Sequence, residues 1–445
     1  MMENSSQKTP PGAAAPTPLA SHGAAPMTGR FALPGDAAIG RAALLLGALA
    51  VGRSRIEGLA MAGSLPALVE ALRRLGARLT PDGDIWQVDG LGVGGLLALE
   101  ESLDLSGAAD LAPLLAGLLA PYGFPVRLSG VAPDALGGLD KMLAPLGVAL
   151  AEEDGTLVLR GSAMLPPLRA SDPDGAGKAA LLLAGAQIAG ISTIVETRPT
   201  PGHMEKLLAT FGGAVSVQGE EAGETATSIT GLVPLRPGHV AVPGDPALAA
   251  YPLLAGLIVP GSDLLVETVL INPLRTGLID TLLEMGGDIQ FVNQRETGGE
   301  HVADLRVRSS RLKGVRIGAD HAVAMRESLP ALAVAAAYAQ GETVIEGFAA
   351  EDALCEAIAA GLGANKVDAR AENGSLTIAG RGAVEGGGTV DGDSHLAMSL
   401  LMLGLASKRP VTIGNGHDVE AVFPGFVSAM NAAGARINPA KGAQP

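Results

Sequence analysis

The chain reads as an α/β protein of the α+β kind, with two lobes of three helix–strand–turn–strand repeats each, arranged with pseudo-threefold symmetry. Three observations carry that expectation. An amphipathic helix closed by Gly-Ala or Gly-Gly and followed by two short strands recurs six times along the sequence. The copies stand further apart than solenoid repeats, which points to two groups of three, helices inside and sheets outside. Apolar residues make up 47% of the chain and aromatics only 2%, so the cores must be packed from Ala, Leu, Val and Ile, while 62 glycines and 30 prolines suit many short turns.

Taken in order, residues 1–30 are rich in Ala, Pro, Ser and Gly and lack the basic start and apolar centre of a secretory signal. They are expected to form a disordered tail. A helix is expected over Leu44 to Ala50, and the apolar run 42–51 is too short to cross a bilayer. The first repeat helix is Pro66-Ala67-Leu68-Val69-Glu70-Ala71-Leu72-Arg73-Arg74-Leu75, closed by Gly76-Ala77, with strands near 77–80 and 85–89. Further copies begin at Leu139, Met204 and Leu278. The fifth runs from Leu354 to Gly363-Ala364, and the sixth, Phe426 to Gly434-Ala435, stops short of a complete unit. Apolar residues at three- and four-residue spacing give each helix one buried face. The glycine after each provides a left-handed cap.

A net charge of -15 argues against nucleic acid or an anionic membrane surface as partner. The single Cys355 cannot form an intramolecular disulfide and fits a reducing cytoplasm, so a cytoplasmic location is expected. Its plainest reading is a small buried thiol. The chain is expected to act as a monomer.

Pro34-Gly35-Asp36-Ala37-Ala38-Ile39-Gly40-Arg41-Ala42 resembles the N-terminal signature of the EPSP synthase (3-phosphoshikimate 1-carboxyvinyltransferase) family, which has Pro-Gly-Asp-Lys-Ser-Ile-Ser-His-Arg there. Val242-Pro243-Gly244-Asp245-Pro246, Ile271-Asn272-Pro273-Leu274-Arg275-Thr276-Gly277-Leu278, Asp304-Leu305-Arg306-Val307-Arg308-Ser309-Ser310 and Ala397-Met398-Ser399 extend the likeness beyond residue 30. It is nearest to the glyphosate-insensitive class. The resemblance implies the two-lobe enolpyruvyl-transferase fold, with a first lobe over 45–243 and a second over 31–44 plus 244–445. The binding site would lie in the cleft between them. It implies no cofactor, and a reaction that moves the enolpyruvyl group of phosphoenolpyruvate onto shikimate 3-phosphate. Such anions require several Lys or Arg side chains.

The positions that match the family's ligands have lost them. Ala37, Ala38 and Ala42 stand for the Lys, Ser and Arg of the first loop. In the phosphoenolpyruvate loop Ala109 keeps its small size, but Asp110 and Pro113 replace Thr and Arg, and Asp110 is expected to repel an anion. Asp174 and Ala176 fall on the Ser-Ala-Gln loop, and His395 on the His-Arg pair before Ile-Ala-Met-Ser. Glu327 keeps a carboxylate, one methylene longer, at the family's catalytic base position. Arg41, Lys178 and Arg198 are candidate displaced cations. Asp391, Asp393 and His395 alternate along the chain and would share one face of a strand, a weak candidate for a metal site. His203, His321, His395 and His417 could also gather into a new polar site.

Three functions remain open at this point. The chain is a non-catalytic binding or scaffold protein with a small anionic metabolite or a protein as partner, a family member with a different and less anionic ligand, or an active transferase using displaced cations. Since bound anions would draw the lobes together, their loss predicts an open or loosely coupled form at rest.

Overall fold

Spacing of three and four residues between apolar positions places one face of each repeat helix against a core, and all six helices form. They are Leu65–Arg74, Leu139–Leu143, His203–Thr210, Gly277–Glu284, Ala353–Ala364 and Phe426–Ala432. The computed structural model describes residues 18–219, 223–349 and 351–440, without the side chains of Val323 and His417. Gly76, Gly147, Gly212, Gly286 and Gly434 take the expected left-handed conformation after their helices. The fifth copy differs, because Gly363 stays inside its helix and Lys366 turns the chain at φ +66°.

Each repeat owns a second helix that amphipathic periodicity does not reveal. These are Ala37–Leu49, Ala112–Leu119, Gly175–Ala186, Pro246–Ile258, Leu329–Tyr338 and Ser394–Gly404. They fill the lobe centres, and every residue of Leu329–Tyr338 is buried, so no polar stripe marks it. Small residues let these helices approach closely. A Cβ on Gly117 would lie 2.2 Å from the carbonyl oxygen of Ala180 in the neighbouring helix.

The described residues form six four-stranded sheets with one wiring: an outer strand parallel to the second, then two antiparallel partners. Two separate apolar clusters lie beneath them. One gathers Ile39, Leu45, Leu115, Leu182 and Leu207 in the first lobe; the other gathers Leu254, Leu332, Leu401 and Phe426 in the second.

Two expectations are corrected here. Of the predicted tail, residues 1–17 lie outside the described residues, but Leu19–Ser21 and Thr28–Ala32 are strands. Leu19–Ser21 sits between Val411–Ile413 and Ile437–Pro439, antiparallel to both. It supplies the strand that the sixth repeat lacks in sequence, and Met27 beside it is fully buried. The lobe boundary also moves. Residues 37–44 belong to the first lobe, because Ile39, Ala42, Ala43 and Leu44 pack in its core. The chain therefore crosses between lobes at residues 33–36 and again at 242–245.

Candidate functional site

The crossings lie side by side and are bonded together. Asp36 N donates to Pro243 O at 2.8 Å, and Asp245 N donates to Pro34 O at 3.0 Å. Gly35 has no room for a side chain, since a Cβ would meet Gly58 O at 2.2 Å. Each Asp then caps a central helix. Asp36 accepts from Ala38 N and Ile39 N, which starts the helix at Ala37, earlier than the Leu44 expected; Asp245 accepts from Ala247 N. Arg275 bridges the two, its Nη2 lying 3.1 Å from Asp36 Oδ2 and 3.1 Å from Asp245 Oδ1. Burial, then the nearby charge of Asp36, pushes the Asp245 carboxyl up to about 7 against the pull of Arg275.

Around this junction a cavity of about 430 Å³ opens between the lobes, lined by Ala37, Ala38, Arg41, Ser64, Asp110, Asp245, Arg275, Glu327 and His395, among others. Arg41 faces it from the second turn of its helix. Its Nη1 donates to Asp110 Oδ2 at 2.5 Å and to Ser64 Oγ at 3.1 Å, while Ser64 Oγ donates to the same Asp110 oxygen at 2.8 Å. Asp110 therefore holds the displaced cation instead of standing as an unpaired charge. Glu327, in the turn before Leu329–Tyr338, has no ion-pair or hydrogen-bond partner among the described residues. His395 Nδ1 lies 2.8 Å from the Tyr251 hydroxyl. That hydroxyl is raised well above its ordinary pKa by burial first and then by the charges of Asp393, Asp245 and Glu327.

Of the open or loosely coupled form expected, the open arrangement is not observed. Opposite the crossings, Gly63 N donates to Ala421 O at 3.1 Å, so first and second lobe touch on the far side of the cavity. On the flank, Glu300 of the second lobe bonds His203 Nδ1 at 2.7 Å and Lys206 Nζ at 2.6 Å in the first. Asn272 Nδ2 also donates to Pro201 O at 2.9 Å. Protein groups make the contacts that ligand anions were expected to make.

A second cavity of about 210 Å³ adjoins the first and shares Ala38 and Arg275 with it; Ala42, Lys178, Thr200, His203 and Glu205 also line it. Lys178 is 5% exposed and enclosed. Its Nζ donates to Glu196 Oε2 at 2.5 Å and to Thr200 Oγ1 at 3.2 Å, and it forms an ion pair with Glu205 Oε1. Lys178 is thus spent on two carboxylates.

The other sequence candidates divide. Asp174 caps Gly175–Ala186 by accepting from Gly177 N at 2.6 Å and lines neither cavity. Ala109 and Ala176 are exposed outside the cavities, and Pro113 is buried at the start of Ala112–Leu119. Arg198 is an exposed loop cation outside both cavities. The alternating triad is not a metal site. The strand ends at Val390, Asp393 caps the helix Ser394–Gly404 and His395 turns to Tyr251, which breaks the shared face; no group able to hold a metal occurs among the described residues. The side chain of His417 lies outside the described residues, and the other three histidines do not gather: His203 bonds Glu300, His395 bonds Tyr251, and His321 lies against Thr281 and Gly277. Cys355 is 2% exposed, and burial followed by the Asp352 charge pushes its thiol up to about 12, which leaves it unreactive. Sequence reasoning missed Asp36, Asp245, Arg275, Glu196, Glu205 and Glu300. The Pro-Gly-Asp repeated at 34–36 and 243–245 was a usable signal for the first pair.

Two lobes of three such repeats around an inter-lobe cavity define the enolpyruvyl-transferase architecture. Solved structures agree: an EPSP synthase from Acinetobacter baumannii superposes with a TM-score of 0.85 at 28% identity, covering 95% of this chain and 100% of that one. The enolpyruvyl transferase NikO from Streptomyces tendae gives a TM-score of 0.76 at 22% identity over 95% and 99% of the two chains, a likeness of fold. The model of the family EPSP synthase (3-phosphoshikimate 1-carboxyvinyltransferase) matches residues 22–430. A 3-phosphoshikimate 1-carboxyvinyltransferase of Chelativorans sp. is 41% identical over 92% of this chain and 95% of its own length. That of Methylobacterium radiotolerans is 40% identical over 95% and 98%. The chain belongs to the EPSP synthase family.

Proposed function

We propose that this chain, on its motifs a member of the family's glyphosate-insensitive class, is a non-catalytic member that acts as a binding or scaffold protein. The observation that carries this reading is the pairing of the cleft's cations. Arg41 is held by Asp110, Arg275 by Asp36 and Asp245, and Lys178 by Glu196 and Glu205. A phosphate or carboxylate entering the cleft would have to displace these protein carboxylates. A charge-assisted hydrogen bond contributes about 1.5–3 kcal/mol, so each displacement forfeits much of what the new contact provides. The alanines at 37, 38 and 42 offer no replacement donor.

A second reading has one observation in its favour. The cleft remains roomy, at about 430 Å³, and Glu327 lines it without a partner among the described residues. That combination favours a ligand less anionic than the family's substrates. The test for both is turnover of phosphoenolpyruvate with shikimate 3-phosphate by the purified chain, alongside rescue of a strain lacking the enzyme. Turnover or rescue would instead support an active transferase that uses Arg41 and Lys178.

A further inference from the structure

Among the described residues, each of the six sheets ends on both sides in a strand with one neighbour. Such an edge offers N–H and C=O groups to any other strand, and proteins guard it with charge, proline, a bulge or brevity. On the antiparallel side, five of the six edges are guarded. Arg78–Asp82 carries Arg78, Pro81 and Asp82, and Ala149–Glu153 carries Glu152 and Glu153. Asp288–Thr297 has charges and a bulge, and Asp368–Glu372 has Asp368, Arg370 and Glu372. Ile437–Pro439 is three residues long and ends in proline. The edges on the parallel side are two or three residues long, apart from Thr28–Ala32, which carries Arg30.

Ala214–Gly219 has none of these guards. Its Ala-Val-Ser-Val-Gln-Gly runs six residues without charge, proline or bulge, and among the described residues it pairs with Thr225–Thr230 alone. All of it but Val215 is exposed. The neighbouring strands add no charge on the same face, where Thr230 and Ile191 stand in register with Ala214, and Ser228 and Thr193 with Ser216. A net charge of -15 repels one copy of the chain from another; an uncharged edge lets two copies meet without opposing like charges. The ends of the strand carry opposite signs. Glu224 precedes Thr225, the register partner of Gly219. The exposed Arg236 lies at the start, its Cδ 3.8 Å from where a Cβ of Gly212 would stand. Antiparallel pairing of the strand with itself about a two-fold axis sets Arg236 of each copy toward Glu224 of the other.

We propose that Ala214–Gly219 pairs antiparallel with the same strand of a second copy, joining two four-stranded sheets into one across a two-fold axis. A ladder of this length buries little area, so the dimer is weak and forms only at high concentration. It does not depend on what the cleft binds. The test is sedimentation velocity of the full chain over a concentration series, with amide exchange followed in parallel. The parent is expected to pass from monomer to dimer as concentration rises, with exchange slowing at Ala214–Gly219. Ser216→Lys, at an exposed position in the middle of the strand, is expected to weaken association by about fivefold with an unchanged melting temperature. Arg236→Glu is expected to weaken it as well, most clearly at low salt, and Arg236→Glu combined with Glu224→Arg to restore it. A parent that stays monomeric throughout would overturn the proposal, and so would a dimer equally strong in Ser216→Lys. A dimer whose exchange slows on another surface and not at Ala214–Gly219 would overturn it too.

Discussion

Replacing Asp245 with asparagine is expected to stabilise the chain above neutral pH and to leave its stability unchanged in acid. Asp245 lies at the second crossing, beside Asp36, and shares Arg275 with it. Its carboxyl is raised from 3.8 to about 7, by burial first and then by the Asp36 charge. A raised pKa means that the folded state holds this proton more tightly than the unfolded state. The stability it confers is complete below pH 3.8 and is lost as pH rises to about 7. About three units at 1.36 kcal/mol each makes the loss on the order of 4 kcal/mol. Asparagine resembles the protonated acid, and its Oδ1 can still accept from Ala247 N, so the helix cap survives. Urea unfolding of Asp245→Asn and of the parent, at intervals from pH 4 to pH 8, isolates the effect at this junction, because carboxylates away from it titrate alike in both. The advantage of the variant should be near zero at pH 4 and grow to about 4 kcal/mol by pH 8. A difference that is flat with pH, or that shrinks above pH 6, would refute the reasoning.

Glu300→Gln should cost about 2 kcal/mol, the worth of a buried charge-assisted bond, and should enlarge the radius of gyration in small-angle scattering as the contact of residue 300 with His203 and Lys206 loosens. Unchanged scattering together with unchanged stability would mean that this contact does not hold the lobes together. Removal of residues 1–22 should lose several kcal/mol, on the order of 1 kcal/mol per ladder bond, because Leu19–Ser21 is paired on both sides. Hydrogen exchange in the deletion should rise at Val411–Ile413 and Ile437–Pro439, and protection there at parental levels would contradict the pairing.

The six amphipathic helices were legible because each keeps one polar face. Of the six central helices only part of the first was read, over Leu44 to Ala50, because a helix such as Leu329–Tyr338, buried on all sides, carries no stripe to read. The strand Leu19–Ser21 was hidden for a different reason: three residues in an Ala- and Pro-rich stretch carry no period, and their partners lie almost 400 positions away. At the site, sequence showed which side chains had disappeared from the first loop, and Ala37, Ala38 and Ala42 do face the cavities. It could not show what had taken over. Asp110 reads as a repelling charge until its distance to Arg41 is known, and Lys178 reads as a spare cation until Glu196 and Glu205 are seen around it. Long-range pairing between charges leaves no mark in a single sequence. Pro34-Gly35-Asp36 survives for structural reasons: Gly35 fits where a Cβ cannot, and Asp36 caps a helix and faces Arg275.

Phosphate release from phosphoenolpyruvate in the presence of shikimate 3-phosphate, followed with the purified full chain, bears most directly on the self-paired cleft. No release above the protein-free rate is expected at any substrate concentration. Turnover in the ordinary enzyme range of about 1–1000 per second would contradict it, and would mean that Arg41, Lys178 and Arg275 exchange their carboxylate partners for substrate.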